Sequence, residues 1–311
     1  MDYVLETENL TKDFGRFRAL DQVSVKLEAG KIYGLIGQNG AGKTTFMRLA
    51  AGLSFPTGGS ISLFGRKGEK DLLEERKRIG CLIEHPGIIG NMNAKENLRV
   101  RRVLKGIPNK EDEDELLELV GLTNTGKKKA KDFSLGMKQR LGIANALTGS
   151  PEFLILDEPV NGLDPLGMVE IRRLLIKLCR ENHITILISS HNLPELYQTA
   201  TDYIIIHQGR VMKTLDQGAL DEKCKRHIRI RCLETAKLAA VLEEKLDTSN
   251  YKVMPDGSVK LYDHLERQEQ VTEILYKNGL AVKEFSVEGD SLENYFLSVI
   301  GGGQDDEYYK S

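Results

Sequence analysis

A glycine-rich stretch near the N-terminus has the residue types and spacing of a phosphate-binding loop. It reads Gly37-Gln38-Asn39-Gly40-Ala41-Gly42-Lys43-Thr44 and matches the pattern G-x-x-x-x-G-K-[ST]. Backbone N–H groups of such a loop point at phosphate oxygens, Lys43 brings a positive charge to the β- and γ-phosphates, and the Thr44 hydroxyl can ligate Mg²⁺. The predicted nucleotide contacts here are Gly37, Asn39, Gly40, Ala41, Gly42, Lys43, Thr44 and Thr45.

The sequence on either side of this loop supports the same interpretation. The apolar run 31–36 predicts a buried strand, and 45–51 predicts a helix that Gly52 closes. Strand, glycine loop and helix start are the order that a phosphate cradle requires. The alternative, a glycine-rich turn beside an unrelated lysine, does not account for this setting.

An acidic pair follows a second buried strand. Four apolar residues, 153–156, predict the strand, and Asp157 and Glu158 stand at its end. Asp157 can hold Mg²⁺ directly or through water, and Glu158 can polarise an attacking water. Such a pair seen alone can be only a helix cap, but downstream of a phosphate loop the catalytic interpretation is favoured.

A third element, Phe133-Ser134-Leu135-Gly136-Met137, combines a serine hydroxyl, a glycine N–H and a predicted helix start. Together these can bind an anion, although a serine N-cap on an ordinary helix is the alternative. With this element the chain resembles the nucleotide-binding subunit of an ABC transporter, whose signature is L-S-G-G-Q. Ser134 and Gly136 match that signature, and the other three positions depart from it. The resemblance covers residues 1 to about 218 and implies that this loop contacts the γ-phosphate held by an opposite subunit.

The resemblance also implies roles for residues outside the three motifs. The loop 162–165, Gly-Leu-Asp-Pro, matches one that touches the partner subunit. His191 matches a histidine that hydrogen-bonds the γ-phosphate and orients Glu158 and the attacking water. Phe14 takes the place of the aromatic residue that stacks on adenine, with Phe17 as a nearby alternative.

Glu84 departs from the family in an informative way. The family has glutamine at the end of the predicted strand 79–83, where the side chain reaches Mg²⁺ and the water; this chain has Glu84. The implied metal ligands are therefore Thr44, Asp157 and Glu84, and a carboxylate there would make turnover sensitive to pH and Mg²⁺. Glu84, the altered signature and the extra C-terminal part together resemble the bacitracin- and lantibiotic-type exporters.

Composition narrows the function classes. The 311 residues contain 44 Lys and Arg against 46 Asp and Glu, so bulk nucleic-acid binding is not expected. Four cysteines without paired spacing indicate reduced thiols and a cytoplasmic protein. The N-terminus lacks a signal-peptide pattern, and no apolar run reaches the roughly 18–20 residues of a membrane span. Any membrane role would come through a partner.

The elements that must position these residues predict an α/β fold. Residues 1–218 are expected to form a P-loop NTPase core of the ABC ATPase type, with an antiparallel β subdomain and a helical insertion at about 85–150. A linker is expected at 219–226. The order β-α-β-β-α-β predicts a small split-βαβ domain over 227–300, and 301–311 is expected to be a disordered tail.

The resulting functional expectation is ATP hydrolysis with Mg²⁺ at two composite sites of a head-to-tail homo- or heterodimer. The dimer would sit on the inner face of the cell membrane. It would drive export, of a compound such as bacitracin or a lantibiotic, through a separate polytopic permease docked near residues 85–97. A soluble ABC-type ATPase acting on ribosomes or DNA and a nucleotide-dependent regulatory module are the alternatives.

Overall fold

The computed structural model describes residues 3–108, 112–289 and 292–301. The chain divides into two compact units, Met1–Gln217 and Gly218–Ser311. None of the helices in the described ranges is both long and apolar enough to cross a lipid bilayer.

The first unit contains, within its described residues, ten strands and seven helices. The strands are β1 (Tyr3–Phe14), β2 (Phe17–Val23), β3 (Lys26–Glu28), β4 (Ile32–Ile36), β5 (Gly58–Leu63), β6 (Ile79–Leu82), β7 (Phe153–Asp157), β8 (Thr185–Ser190), β9 (Asp202–His207) and β10 (Arg210–Asp216). The helices are α1 (Lys43–Ala50), α2 (Glu69–Glu75), α3 (Ala94–Leu104), α4 (Asp112–Leu119), α5 (Leu135–Leu147), α6 (Pro165–Asn182) and α7 (Leu193–Thr199), with 3₁₀ turns at Arg76–Arg78, Thr123–Thr125 and Ala130–Asp132.

The main sheet has six strands in the order β10-β9-β4-β8-β7-β6. All neighbours are parallel except the β9–β10 hairpin. Every residue of β4, β7 and β8 is buried, which explains why these strands appear in the sequence as continuous apolar runs. The carboxyl ends of parallel strands meet at one edge, and that edge carries the phosphate loop after β4 and the acidic pair after β7.

The second sheet is antiparallel, with β1 paired to β2, β3 and β5. The α/β core with an antiparallel subdomain is therefore confirmed. Strand β1 continues past Leu10 to Phe14, and the chain turns at Gly15 into β2. Shifts in the β1–β2 register after Leu10 and after Lys12 break the alternation of side chains, so the sequence pattern does not show a strand there.

The helical insertion consists of α3, α4 and α5. A buried ion pair joins the first two, because Arg102 Nε lies 3.0 Å from Glu113 Oε1 with both side chains 7% exposed. Arg102 Nη1 also donates to the carbonyl of Ile107 at 2.8 Å, so the charged group is satisfied on two sides.

The second unit is a separate α+β structure with its own apolar core. Its elements are α8 (Gln217–Cys224, starting at the last residue of the first unit), β11 (His227–Cys232), α9 (Thr235–Leu246), β12 (Tyr251–Val253), β13 (Val259–Leu261), α10 (Gln268–Lys277), β14 (Val282–Glu288) and α11 (Leu292–Gly301). The strands form an antiparallel sheet in the order β12-β13-β11-β14, and β11 to β14 follow the expected β-α-β-β-α-β sequence.

The C-terminal part was expected to contain a linker at 219–226 and a disordered tail at 301–311. Most of the expected linker 219–226 is helix α8, because Leu220 gives this charged stretch a buried anchor at 3% exposure. Gly301 is the last residue of α11, and the remainder of the expected tail, 302–311, lies outside the described residues.

Candidate nucleotide-binding site

The phosphate loop passes directly into helix α1. Gly42 is the N-cap, at φ 107°, and the helix start carries no side-chain cap. A Cβ at Gly42 would lie 2.7 Å from the carbonyl oxygen of Ala19, so both the conformation and the packing require glycine. The first N–H groups of α1 have no partner within the helix, and an uncapped helix start offers them to an anion.

Lys43 is the first residue of α1 and is buried, at 7% exposure. Its Nζ donates to the carbonyl oxygens of Gly37 at 2.7 Å and Gln38 at 3.2 Å. Burial lowers the pKa of Lys43, whereas the negative charges of Glu158 and Asp157 act in the opposite direction. The ammonium group therefore lies inside the loop that would wrap the phosphates.

Asp157 joins the loop to the neighbouring strand. Its Oδ2 accepts from the Thr44 hydroxyl at 2.8 Å, and its Oδ1 accepts from the Ser189 hydroxyl at 2.5 Å. A hydroxyl and a carboxylate are oxygen donors of the kind that Mg²⁺ takes from a protein. Thr44 and Asp157 therefore fit this metal in both chemistry and proximity.

Glu158 and His191 are in direct contact. His191 Nδ1 lies 2.7 Å from Glu158 Oε2. Because a carboxylate only accepts, we assign the proton of this bond to Nδ1, which leaves Nε2 for another partner. The backbone of Glu158 has φ 50°, a left-handed conformation that is uncommon for a residue with a side chain. The sequence-based pairing of Glu158 with His191 agrees with this geometry.

A cleft of about 290 Å³ brings most of these groups together. It is lined by Phe17, Ala19, Asn39, Gly40, Gly42, Lys43, Thr44, Thr45, Asp157 and Glu158. The cleft thus gathers the phosphate loop, the acidic pair and an aromatic side chain.

The aromatic residue at the cleft is Phe17, which the sequence offered as the alternative to Phe14. The two residues face each other across the β1–β2 hairpin, and Phe14 is not among the cleft-lining residues. Phe14 instead has Lys12 Nζ 4.9 Å from its ring centroid. The geometry therefore favours Phe17 over Phe14 as the aromatic residue that would contact the nucleotide.

Glu84, the third expected metal ligand, forms an ion pair with a side chain of helix α1. Its Oε1 accepts from Arg48 Nη2 of helix α1 at 2.6 Å, with both side chains about half exposed. It does not line the cleft that contains Thr44 and Asp157. The guanidinium of Arg48 would therefore compete with a metal ion for the Glu84 carboxylate.

Ser134 and Gly136 line a different cleft, of about 610 Å³. Ser134 is the N-cap of α5, and its hydroxyl accepts from Met137 N at 3.3 Å. Residues Gly162, Leu163 and Asp164 line the same cleft. Within one chain, the signature residues are therefore not brought to the phosphate loop.

Sequence reasoning missed two contacts to the site residues, from Ser189 and from Arg48. Ser189 is a polar residue at the end of an apolar strand, and it lies opposite Asp157 in the β7–β8 register. The signal available in the sequence was a serine at the end of an apolar run, and which residue it meets follows only from the strand register. Nothing in the sequence indicated that Arg48 would meet Glu84.

Comparison with known proteins identifies the family. A family model described as ABC transporter matches residues 20–161. The bacitracin transport ATP-binding protein BcrA of Bacillus licheniformis is 42% identical over 303 residues, covering 97% of this chain and 99% of that protein. The lantibiotic transport ATP-binding protein SrtF of Streptococcus pyogenes is 42% identical over 212 residues, covering 67% of this chain and 89% of that protein.

Solved structures give the same result. The structure of cbiO1 from Clostridium perfringens, described as part of the ABC transporter complex cbiONQ, superposes with a TM-score of 0.65 at 26% identity. The match covers 72% of this chain and 92% of that one. This chain therefore belongs to the ABC transporter family, as an ATP-binding and ATP-hydrolysing subunit.

Proposed function

We propose that this chain powers the export of a peptide antibiotic through a separate membrane permease, using ATP hydrolysed with Mg²⁺. The observation that carries the hydrolytic part is the cleft in which Lys43, Thr44, Asp157 and Glu158 meet, with His191 bonded to Glu158 at 2.7 Å. Positive charge, metal-ligating oxygens and a base are thus within one small volume, which phosphoryl transfer requires.

In the proposed mechanism the chain supplies positioning and charge. The open start of α1 and the Lys43 ammonium bind the β- and γ-phosphates. Thr44 and Asp157 would hold Mg²⁺, which would neutralise charge on the phosphate oxygens. Glu158 accepts a proton from the attacking water, and His191 keeps the Glu158 carboxylate aimed at that water.

The separate location of Ser134 and Gly136 supports a head-to-tail pair of chains. Because these residues line their own cleft, a second chain would have to supply them to the phosphate loop of the first. Moving such a pair from 1% to 99% closed takes roughly 5.5 kcal/mol of preferential ATP binding. Two ATP molecules can provide this, for a homodimer or a heterodimer.

The loop between β6 and α3 is our candidate for permease docking on the cytoplasmic side of the membrane. Ile89 exposes 42% of its surface there. Asn97, itself 3% exposed, holds the loop, because its Oδ1 accepts from Ile89 N at 2.7 Å and its amide donates to Ile89 O at 3.2 Å. A rigidly held apolar side chain is suited to contact a partner protein.

The substrate class rests on the relatives. Proteins at 42% identity are named for bacitracin transport and lantibiotic transport, and the first of them matches along nearly its whole length. The same relatives do not favour a soluble ABC ATPase without a transport role or a regulatory module.

Glu158→Gln tests the hydrolytic role. We expect ATP affinity within about threefold of wild type and hydrolysis reduced by about 10²–10⁴, because the amide cannot accept the proton from water. An ATP-dependent dimer should accumulate in size-exclusion chromatography. Glu181→Gln, which removes the same charge at the end of α6, is the matched control and should turn over normally. Full turnover by Glu158→Gln would remove Glu158 from the mechanism.

A further inference from the structure

We infer that Ser189 is a positioning residue for both carboxylates of the hydrolytic site. The inference rests on the hydrolytic function proposed above and assigns a role to a side chain that does not line the nucleotide cleft. It depends on hydrogen bonds within the chain and on the unusual backbone of Glu158.

Ser189 is fully buried in β8, at 0% exposure. Its hydroxyl donates to Asp157 Oδ1 at 2.5 Å and accepts from the backbone N–H of Glu158 at 3.0 Å. A serine hydroxyl has one proton to donate and lone pairs to accept with. The Ser189 hydroxyl donates its proton to the side chain of Asp157 and accepts, with a lone pair, from the backbone of Glu158.

The bond to Asp157 determines which carboxylate oxygen is available to the cleft. Oδ1 is turned towards Ser189, and Oδ2 accepts from Thr44 at 2.8 Å. With one oxygen anchored in the sheet, rotation of the carboxylate would break a buried hydrogen bond. The oxygen beside Thr44 is therefore held in place.

The bond to Glu158 stabilises an unfavourable backbone conformation. Glu158 has φ 50°, and its N–H is shared between the hydroxyl of Ser189 at 3.0 Å and the carbonyl oxygen of Ser189 at 3.2 Å. This conformation directs the side chain to His191. Without the hydroxyl, one of two anchors is lost, and the base is free to move out of line with the water.

The next residue provides an internal control. Ser190 is also buried, at 2% exposure, but its hydroxyl accepts from Asn192 N at 3.0 Å, before helix α7. The two serines thus match in size and burial and differ in what they bond.

The experiment compares Ser189→Ala, Ser189→Thr and Ser190→Ala in the full chain. For Ser189→Ala we expect kcat for ATP hydrolysis to fall about 10- to 100-fold, because a small displacement of a catalytic group has an effect of this size. The KM and the affinity for ATP should change less than about threefold. Ser189→Thr should recover most of the rate because it keeps the hydroxyl, and Ser190→Ala should keep the wild-type rate.

Amide hydrogen exchange of the nucleotide-free chain gives a second, independent measurement. The Glu158 N–H should exchange faster in Ser189→Ala than in wild type or Ser190→Ala, because it has lost one acceptor. Wild-type kcat in Ser189→Ala, an equal loss in Ser190→Ala, or unchanged exchange at Glu158 would each overturn the inference.

These outcomes can be separated from failure of the proposed function. If wild type does not hydrolyse ATP, or if Glu158→Gln turns over fully, the hydrolytic role itself fails, and exchange at Glu158 still decides whether Ser189 holds the backbone. If both behave as proposed and Ser189→Ala is fully active, only the role of Ser189 is refuted.

Discussion

At the scale of single residues, the site combines one buried cation with two carboxylates. Lys43 is bonded to neutral carbonyls of the loop and lies close enough to Asp157 and Glu158 for their charges to act on its pKa. Phosphate oxygens are stronger partners for an ammonium group than carbonyls, since charge-assisted bonds are the stronger kind. The ammonium group of Lys43 can therefore exchange its carbonyl partners in the loop for phosphate oxygens.

The aromatic contact can be tested by comparing Phe17→Ala with Phe14→Ala. We expect Phe17→Ala to weaken ATP binding by about 1–3 kcal/mol, in line with the loss of a ring stacked on a base. Phe14→Ala, at a position that does not line the cleft, should have a smaller effect. Fluorescence titration with an ATP analogue measures both, and a larger loss for Phe14 would restore the original assignment.

The role of Glu84 is tested by Glu84→Gln. If the carboxylate leaves Arg48 to join the metal, the variant should need about three to ten times more Mg²⁺ for half-maximal hydrolysis, because ligand charge sets cation affinity. Glu74→Gln changes the same charge in an exposed pair with Lys77 and is the control. Unaltered Mg²⁺ dependence in Glu84→Gln would show that this residue is not a metal ligand.

At the scale of elements, the site depends on strands whose ends coincide. The β7–β8 register sets Ser189 opposite Asp157, and the β4–β8 register sets Ile36 opposite Ser190. Because successive side chains of a strand point to opposite faces of the sheet, a register shift by one residue would turn Asp157 away from Thr44. The buried apolar side chains of β4, β7 and β8 hold this alignment.

Strand β4 also contains Tyr33, whose ionisation makes the stability of the fold depend on pH in the alkaline range. Tyr33 is 2% exposed, its hydroxyl oxygen accepts from Glu28 N at 2.7 Å, and burial raises the pKa of Tyr33 to about 12. In the unfolded chain this pKa is about 10. The folded state thus binds the Tyr33 proton more tightly than the unfolded chain does. The resulting contribution to the free energy of unfolding is complete below pH 10 and is lost as the pH rises towards 12.

Tyr33→Phe should remove this part of the pH dependence. Between pH 10 and 12 the wild-type free energy of unfolding should fall by about 2–3 kcal/mol more than that of the variant. Urea unfolding across this range measures the difference. Parallel pH curves for the two proteins would contradict the assignment to Tyr33.

At the scale of the whole molecule, the chain is two units with separate apolar cores. Every residue that lines the nucleotide cleft belongs to the first unit. The second unit contributes a four-stranded sheet with its own helices, and we propose dimer contact or regulation for it. The first unit is therefore expected to bind nucleotide without the second unit.

Ending the chain after residue 226 tests that separation. The shortened protein should fold cooperatively and bind ATP within about threefold of the full chain, because the first unit keeps its own core. Calorimetry of both forms, with and without ATP, measures stability and binding together. Loss of ATP binding in a shortened protein that still folds would show that the second unit supports the site.

The sequence by itself was sufficient for the phosphate loop, the acidic pair and the α/β class. Each of these is a local pattern: glycines at fixed spacing, or apolar runs that end in charge. The strand and helix order of residues 227–300 was predictable for the same reason. Local patterns work here because the spacing of apolar residues along a segment reflects its own helix or strand conformation.

Only the tertiary structure decided which side chains meet. It brought Phe17 rather than Phe14 to the cleft, paired Glu84 with Arg48, and placed Ser189 between Asp157 and Glu158. These contacts join residues far apart in sequence, and they depend on hairpin register, on strand alignment and on the direction of each side chain. No pattern of residue types along the chain encodes those distances, so packing had to settle them.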